Sequence, residues 1–323
     1  MSLGEMSLED LSKENKTEGS QSSSALVAVL MTCHNRRDVT LACLEALYQQ
    51  NVDFAVYLVD DGSTDGTAEA VKNLYPSVEV LQGDGSLFWV GGMRLAFGRA
   101  LDAKHPYYLW LNDDTLLEPD CIQRLLETHR WLAAQGDREA IVVGSVKDPA
   151  SGMQTYGGRT RPTRWYSFKF ETVEAAEWPQ KCDTMQGNVV LIPYAVAVKV
   201  GNVDAAFVHN LGDLDYGLRA GQAGCSVWVA PGFAATCSQN SVSGSWVDLD
   251  LSVWQRLQKV LHIKGFPMKA WMIYLSRHAG PLWFIYFPLP YIRAVIGYRN
   301  LAASPTFAEA VEQEVLDDSG DRK

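Results

Sequence analysis

Short apolar runs alternate with amphipathic stretches from residue 25 to residue 240, and this alternation predicts the secondary structure. The apolar runs predict buried strands at 25–31, 54–59, 78–81, 107–111, 141–144, 189–192 and 227–230. Apolar residues spaced three or four apart predict helices at 38–50, 67–74, 91–103, 118–129, 194–200 and 212–220. Strands that alternate with helices are typical of an α/β fold with a mostly parallel open sheet flanked by helices.

Two stretches depart from this alternation. Residues 151–170 are rich in Gly, Thr, Arg and aromatic side chains and predict a β-hairpin. Residues 251–306 mix aromatic residues with bases and predict a helical appendage. We therefore expect a flexible leader at 1–24, one α/β domain at 25–250, the appendage, and an acidic tail at 307–323.

The formal net charge of −10 is unevenly distributed along the 323 residues. Residues 1–24 carry −3, residues 309–323 carry −4, and residues 251–308 carry +7 from seven bases and no acid. Residues 25–250 therefore carry −10. An acidic body of this kind argues against a nucleic-acid partner, because binding a duplex requires many Lys and Arg side chains that neutralise phosphates.

Cysteine spacing and hydropathy predict the compartment. The six cysteines form no C-x-x-C pair and no zinc-finger spacing, which indicates reduced thiols. Residues 1–24 are polar and do not resemble a signal peptide. The apolar stretch at 279–292 is too short and too rich in proline to span a bilayer. We expect a cytoplasmic protein.

Acidic residues lie at the ends of two predicted strands. Asp60 and Asp61 end one strand, and Asp113 and Asp114 follow Asn112 at the end of another. Open α/β sheets bind ligands beyond the carboxyl ends of their strands, so these carboxylates are candidates for holding Mg²⁺ or Mn²⁺ with substrate phosphates. The alternative is local: an Asp-Gly turn after the first strand, and a turn or a helix cap after the second.

A third acidic cluster, Asp213 and Asp215, opens the helix predicted at 212–220. Asp213 is a candidate general base that takes a proton from an attacking hydroxyl. Alternatively, Asp213 caps the helix and Asp215 pairs with Arg219 one turn later on a solvated face. The residues alone leave both possibilities open, although three acidic clusters in this order favour a shared site.

Four segments in this order resemble the inverting glycosyltransferases of family 2, which have the GT-A fold. They are Thr32-Cys33-His34-Asn35-Arg36, DDGSTDGT at 60–67, Leu111-Asn112-Asp113-Asp114 and GDLDYGLRA at 212–220. A fifth segment, GDGSLFWVGG at 83–92, is similar to the bacterial rhamnosyltransferase-like branch. The resemblance covers residues 25–240 and implies a GT-A domain at 25–250, a nucleotide-sugar donor, and Mg²⁺ or Mn²⁺ as cofactor.

The resemblance also implies a role for each matching residue. The nucleotide-sugar-binding residues that it implies are Thr32, His34, Asn35, Arg36, Asp61, Arg94, Asn112 and Asp113. Among these, Asp61 would accept a hydrogen bond from the ring N–H of the base. Asp114 would coordinate the metal ion and Asp213 would be the catalytic base. Asp215 and Arg219 would support that base.

Four positions depart from the family pattern. His34 stands where an aromatic residue, often Tyr, stacks on the nucleotide base. Gly212 replaces the usual acidic or Thr neighbour of the catalytic base, and Arg94 occupies a position that is often Asn. Cys237 lies where many relatives place a metal-binding His, and a thiol is a poor ligand for a hard cation.

The resemblance implies inverting transfer of a sugar from a UDP- or dTDP-sugar to a hydroxyl of a saccharide or lipid-linked saccharide, in bacterial surface polysaccharide synthesis. Two alternatives are a metal-dependent nucleotidyltransferase and a non-catalytic relative that binds a nucleotide sugar. The ten aromatic residues at 251–300 suit either peripheral contact with a membrane surface or packing on the catalytic core.

Overall fold

The computed structural model describes residues 25–162, 170–238 and 243–297, so the leader at 1–24 and the acidic tail at 307–323 lie outside the described residues. The strands are β1 (Val27–Cys33), β2 (Phe54–Asp60), β3 (Glu79–Gln82), β4 (Tyr107–Leu111), β5 (Leu116–Leu117), β6 (Ala140–Lys147), β7 (Gln154–Tyr156), β8 (Gly158–Thr160), β9 (Glu171–Thr172), β10 (Gln180–Cys182), β11 (Thr184–Met185), β12 (Val189–Pro193) and β13 (Ser226–Thr236). The helices are α1 (Arg37–Tyr48), α2 (Thr67–Leu74), α3 (Phe88–Asp102), α4 (Cys121–Ala134), α5 (Tyr194–Val200), α6 (Gly212–Gln222), α7 (Val253–Leu261), α8 (Met268–His278), α9 (Trp283–Tyr286) and α10 (Leu289–Ile296).

An open sheet forms the centre of the molecule. Its strand order is β10-β13-β6-β12-β4-β1-β2-β3, and a smaller sheet has the order β11-β8-β9. Strands β3, β2, β1 and β4 are mutually parallel, and β13 is parallel to β6. Strand β12 runs antiparallel to both β4 and β6. The mostly parallel open sheet confirms the predicted fold class.

Helices cover both faces of this sheet, which explains why apolar and polar residues do not alternate in the sequence of β1. All seven residues of β1 are buried. Ala28 and Leu30 face one apolar core with α3 and α6, whereas Val27, Val29 and Met31 face a second core with α1 and α4. Successive side chains of a strand point to opposite faces, so a doubly covered strand is apolar throughout.

Several predicted boundaries are confirmed and others are wrong. The bounds predicted for α2, β4 and α5 agree with the structure. A hairpin in the stretch 151–170 is confirmed with shifted bounds, because β8 pairs antiparallel with the next strand, β9, and also with β11, whereas β7 pairs with β6. Residues 163–169 of that stretch lie outside the described residues. Helix α4 begins at Cys121 with Asp120 as its N-cap, so Asp114 does not cap it.

The helices α7 to α10 form the appendage, and most of its aromatic side chains pack inward. Phe266, Trp271 and Tyr274 are buried in the core that also contains residues of α6. The half-buried side chains packed against the same core are Trp283, Tyr286, Phe287 and Tyr291. Trp254 and Phe284 are exposed, and Tyr298 lies outside the described residues. Within the part of the chain that the structure describes, every helix is too short or too polar to cross a membrane.

Candidate active site

The candidate site lies at the edge where the parallel strands β1, β2 and β4 end. Cys33 at the end of β1 is opposite Asp60 at the end of β2. Strand β12 runs the other way, so its first residue, Val189, is opposite Leu111 at the end of β4. The segment before β12 therefore reaches the same edge as the acidic residues that follow β4.

Arg36 bridges the two acidic residues after β4. Its Nη1 donates to Asp113 Oδ1 at 3.1 Å, and its Nη2 donates to Asp114 Oδ2 at 2.7 Å. The hydroxyl of Thr40 in α1 donates to the other oxygen of Asp113 at 3.4 Å. A guanidinium between adjacent carboxylates offsets their repulsion. Arg36, predicted to bind the nucleotide, here joins the first βα turn to the acidic pair.

Asp113 is the more deeply buried member of the pair, with 5% of its surface exposed. Burial raises the pKa of Asp113 to about 7, and the neighbouring charge of Asp114 adds to this shift while Arg36 opposes it. When a carboxyl has a raised pKa, a nearby positive charge stabilises its ionised form. The pair is therefore poised to accept a cation.

Asp114 has the oxygen best placed to take that cation. Its Oδ1 is buried and has no hydrogen-bond partner among the described residues. Burial and then the charge of Asp114 raise the pKa of the neighbouring Cys237, and a thiol is a poor ligand for a hard cation. Within residues 25–162, 170–238 and 243–297, no three His, Cys, Asp or Glu side chains form a metal-binding group. The residues fit a divalent ion held by Asp114 and substrate phosphates, as is usual for Mg²⁺.

Asp61 organises the loop that follows β3. Its Oδ1 accepts from the backbone N–H of Gly85 and its Oδ2 from that of Phe88, both at 2.9 Å. Only 4% of its surface is exposed. A Cβ on Gly83 would lie 2.5 Å from Asp61 Oδ1, so only glycine fits beside this carboxylate. Each carboxylate oxygen has a second lone pair, which leaves capacity for a further donor.

The first βα turn contacts the loop after β2. The Nδ1 of His34 donates to the backbone carbonyl of Asp61 at 2.6 Å. Asn35, at a φ of 52°, accepts at its side-chain oxygen from the backbone N–H of Thr64 at 2.7 Å. Its own backbone N–H donates to the hydroxyl of Ser63 at 2.9 Å. These bonds bring His34, Asn35 and Asp61 to one side of the site.

Trp89 and Gly187 connect the acidic strand end to the predicted base, although no sequence pattern predicts a role for either residue. The indole Nε1 of Trp89 donates to Asn112 Oδ1 at 2.7 Å. Its ring lies against Gly187, where a Cβ would be 2.4 Å from Trp89 Cζ2. The N–H of Gly187 donates to Asp213 Oδ2 at 3.0 Å. The signals available were the resemblance at 83–92, which includes Trp89, and the position of Gly187 just before a predicted strand.

Asp213 is held at the start of α6 rather than at its cap. The N-cap is Leu211, which has a φ of 70° and makes no side-chain cap. Oδ1 of Asp213 accepts from the backbone N–H of Leu214 at 2.8 Å, while Oδ2 accepts from Gly187. Two backbone donors thus orient this carboxylate. The prediction of a solvated face for Asp215 is wrong, because Asp215 is fully buried.

The remaining predicted residues fall on both sides of α3. Thr32 is buried at the end of β1, where a Cβ on Gly92 would meet its hydroxyl. Arg94 is exposed, and its carbonyl accepts from the side chain of Asn202. Two residues correspond to a rotation of about 200° around a helix, so the Cα–Cβ bond of Arg94 points away from the side of α3 that faces Thr32. The structure therefore does not bring Arg94 to the other predicted residues.

The mostly parallel open sheet, with acidic residues where its strands end, has the GT-A fold. The architecture is similar to that of GalNAc-T7, solved with UDP, GalNAc and Mn²⁺, with a TM-score of 0.51 and 14% identity over 67% of this chain and 44% of that chain. Residues 28–196, more than half of the chain, match the model of glycosyl transferase family 2, and the chain belongs to this family.

Two curated relatives are similar over part of the chain. An N-acetylglucosaminyl-diphospho-decaprenol L-rhamnosyltransferase of Mycobacterium tuberculosis is 28% identical over 197 residues, covering 54% of this chain and 64% of that protein. A chondroitin synthase of Pasteurella multocida is 32% identical over 107 residues, covering 32% of this chain and 11% of that protein. The chain thus spans less than two thirds of the length of either relative.

Proposed function

We propose that this protein transfers a sugar from a UDP- or dTDP-sugar to a hydroxyl of a saccharide or lipid-linked saccharide, with inversion at the anomeric carbon, in the synthesis of a bacterial surface polysaccharide. The main support for this proposal is a set of contacts between two parts of the site. Trp89 and Gly187 connect the Asn112-Asp113-Asp114 strand end to Asp213, which supports a single site for the acids suited to a diphosphate and the candidate base. Family membership and the rhamnosyltransferase relative support the same reaction class.

The nucleotide half of the donor is assigned to the ends of β1, β2 and β4. Thr32, His34 and Asp61 would contact the base, with the free lone pairs of Asp61 accepting from its ring N–H. Asn35 would hold the surrounding loops together, as its bonds to Ser63 and Thr64 already do. This assignment makes the loop fixed by Asp61 one wall of the base pocket.

The diphosphate is assigned to the acidic pair, with Asn112 and Asp113 on the ribose side. Asp114 would hold Mg²⁺ or Mn²⁺ through its unpaired Oδ1. When bound, such an ion offsets the charge that develops on the departing nucleoside diphosphate. Arg36 contacts both carboxylates and adds a second positive charge at the same place. Arg94 has no part in this assignment, because its Cα–Cβ bond points away from the side of α3 that faces Thr32.

Asp213 is proposed as the general base. The acceptor hydroxyl loses its proton to Asp213 as its oxygen bonds to the anomeric carbon. The bond from that carbon to the diphosphate oxygen breaks, and its electron pair leaves with the nucleoside diphosphate. Attack opposite the leaving group inverts the configuration. The hydrogen bonds from Gly187 and Leu214 hold the carboxylate in the orientation this step needs.

The domain division follows from these assignments. We propose that residues 25–250 are the catalytic GT-A domain and that 251–306 are an appendage that also touches the cytoplasmic face of a membrane. On α9, Phe284 and Ile285 are 58% and 51% exposed. The appendage carries bases and no acid, which suits anionic lipid around a lipid-linked acceptor. Most of its aromatic residues nevertheless pack on the core, so the contact would involve its outer surface alone.

A donor panel tests the proposed function. UDP-, dTDP- and GDP-sugars are screened for thermal stabilisation with and without Mn²⁺, because a ligand that binds only the folded state raises the Tm. The stabilising donor is then incubated with saccharide acceptors. We expect release of the nucleoside diphosphate and a product of inverted anomeric configuration by NMR. Pyrophosphate release from a nucleoside triphosphate would indicate a nucleotidyltransferase, and donor binding without any turnover would indicate a non-catalytic relative.

A further inference from the structure

A buried charge cluster joins the helix that carries Asp213 to the C-terminal appendage. Its centre is Asp215, which is fully buried in α6, two residues after Asp213. Arg219 of the same helix donates to Asp215 Oδ2 at 2.7 Å. Two donors from the end of α8 reach the other oxygen: Arg277 Nη1 at 3.1 Å and His278 Nε2 at 2.9 Å. A carboxylate of α6 therefore has two of its three side-chain partners in the appendage.

Further bonds tie this cluster to its surroundings. Arg277 Nη2 donates to Asp204 Oδ2 at 2.6 Å, in the segment that leads into α6. The side-chain amide of Gln222, at the end of α6, lies 3.3 Å from His278 Nδ1 and donates to it. Arg219 donates to the backbone carbonyls of residues 200 and 202 at 2.9 and 3.1 Å. The cluster thus holds both ends of α6 and the segment before it.

The surroundings of Asp215 favour the charged form of its carboxylate. Burial alone would raise the pKa of Asp215, but hydrogen bonds from His278 and Arg219 outweigh it and bring the pKa below its ordinary value. Asp215 is therefore a buried carboxylate whose charge is matched by its neighbours. Removing one partner from such a cluster leaves charge that the interior does not solvate, and the helix that bears it moves toward other partners or toward water.

We propose that Arg277 and His278 of the appendage are positioning residues for the catalytic base, acting through Asp215 on the placement of α6. This inference rests on the proposed role of Asp213. Its consequence is that the appendage takes part in catalysis through a specific contact with α6, independently of any contact with a membrane. The position of Asp213 depends on α6, because its carboxylate is oriented by the N–H of Gly187 outside the helix and of Leu214 within it.

The chain offers a matched control in Arg256, another buried arginine of the appendage. Arg256 donates to the carbonyls of Ala294 and Leu251, both at 2.9 Å, and so ties α7 to α10 within the appendage. Its hydrogen bonds within the described residues go to α10 and to the segment before α7, not to α6. Replacing it loosens the appendage without removing a partner of Asp215. Arg277→Met and His278→Phe each leave Asp215 with two of its three partners, so these single variants retain most of the cluster.

The experiment compares Arg277→Met, His278→Phe, Arg277→Lys and Arg256→Met in the full chain. With the donor found by thermal screening, we expect kcat to fall about 10-fold to 100-fold in the first two variants, because displacement of a catalytic group by about 1 Å costs this much. The donor KM should stay within twofold, and Arg277→Lys should recover part of kcat because it restores the positive charge. Arg256→Met should keep its kcat.

Hydrogen exchange supplies a readout that needs no activity. The amides of 213–222 should exchange faster in Arg277→Met and His278→Phe than in the wild type, and at the wild-type rate in Arg256→Met. Unchanged kcat and unchanged exchange in both cluster variants, or equal losses in Arg256→Met, would overturn the positioning role. If no donor and acceptor pair gives turnover in the wild type, the proposed function fails, and the exchange data alone then decide whether the appendage places α6.

Discussion

Gly187 provides a sharp test of the contact that joins the acidic strand end to Asp213. In Gly187→Ala, the new Cβ would lie 2.4 Å from Trp89 Cζ2 and 2.5 Å from Cη2. Carbon atoms in contact are normally at least about 3.5 Å apart, so the ring or the loop must move by about 1 Å. The ring is held by its bond to Asn112 and by its edge contact with Trp110, whose ring centroid is 5.9 Å away.

We expect Gly187→Ala to lower kcat about 100-fold, because a displacement of about 1 Å at a positioned catalytic group costs this much. The free energy of unfolding should fall by about 1 to 3 kcal/mol, the usual cost of overpacking. The assay is nucleoside diphosphate release at saturating donor, with chemical denaturation in parallel. The control is Gly221→Ala in α6, where a Cβ would meet nothing within 4 Å.

A double mutant separates the clash from other effects. Trp89→Phe removes the ring atoms that the new Cβ would strike, so Gly187→Ala should cost much less in that background than in the wild type. A wild-type kcat in Gly187→Ala would show that the steric clash has no effect on catalysis. A loss of the same size with Phe at position 89 would show that the Trp89 ring is not its cause.

Three further predictions concern the acidic pair and the appendage. The raised pKa of Asp113 means that the ligand-free folded state binds a proton at this carboxyl more tightly than the unfolded state does. The free energy of unfolding of the wild type, measured relative to Asp113→Asn, should therefore fall as the pH rises from about 4 to about 7 and then level off. A rise over that pH range in denaturant titrations would contradict this expectation. Arg36→Met removes the positive charge between the Asp113 and Asp114 carboxylates. Adding Mn²⁺ should therefore raise the Tm of this variant more than that of the wild type. An equal rise in both proteins would argue against a cation site at this pair. The wild type should sediment with anionic vesicles at low salt, and the Phe284→Ser, Ile285→Ser double variant should lose this binding. The control Trp131→Ser, which changes an exposed residue of α4, should retain it. Identical sedimentation of all three proteins would contradict the proposed membrane contact.

Sequence periodicity predicted the elements whose signals are local. The bounds of α2, β4 and α5 agree with the structure because apolar spacing and turn residues mark both ends. Because the predicted bounds of β4 are confirmed, the predicted position of Asp113 and Asp114 just after this strand is confirmed as well. The helix α3 begins at Phe88, before the predicted start at residue 91, because Asp61 accepts from the N–H of Phe88. That bond joins residues 27 positions apart and has no local signal.

Long-range contacts explain the rest of what the sequence left out. Asp215 and Arg219 pair as predicted, but the helix face is buried because Arg277 and His278, more than 60 residues later, cover it. The approach of Gly187 to Trp89 and Asp213 depends on β12 running antiparallel beside β4. The bond between Trp89 and Asn112 joins α3 to the end of β4. Spacing along one chain does not specify which strand lies beside which.

The base assigned to the transfer reaction is tested most directly by Asp213→Asn. The variant keeps the size of the side chain and removes the charge that accepts a proton. We expect kcat to fall about 10²-fold to 10⁴-fold, the range usual for loss of a general base, while the Kd of the nucleoside diphosphate measured by calorimetry changes less than twofold. A variant that transfers sugar at nearly the wild-type rate would contradict the assignment of Asp213 as the base.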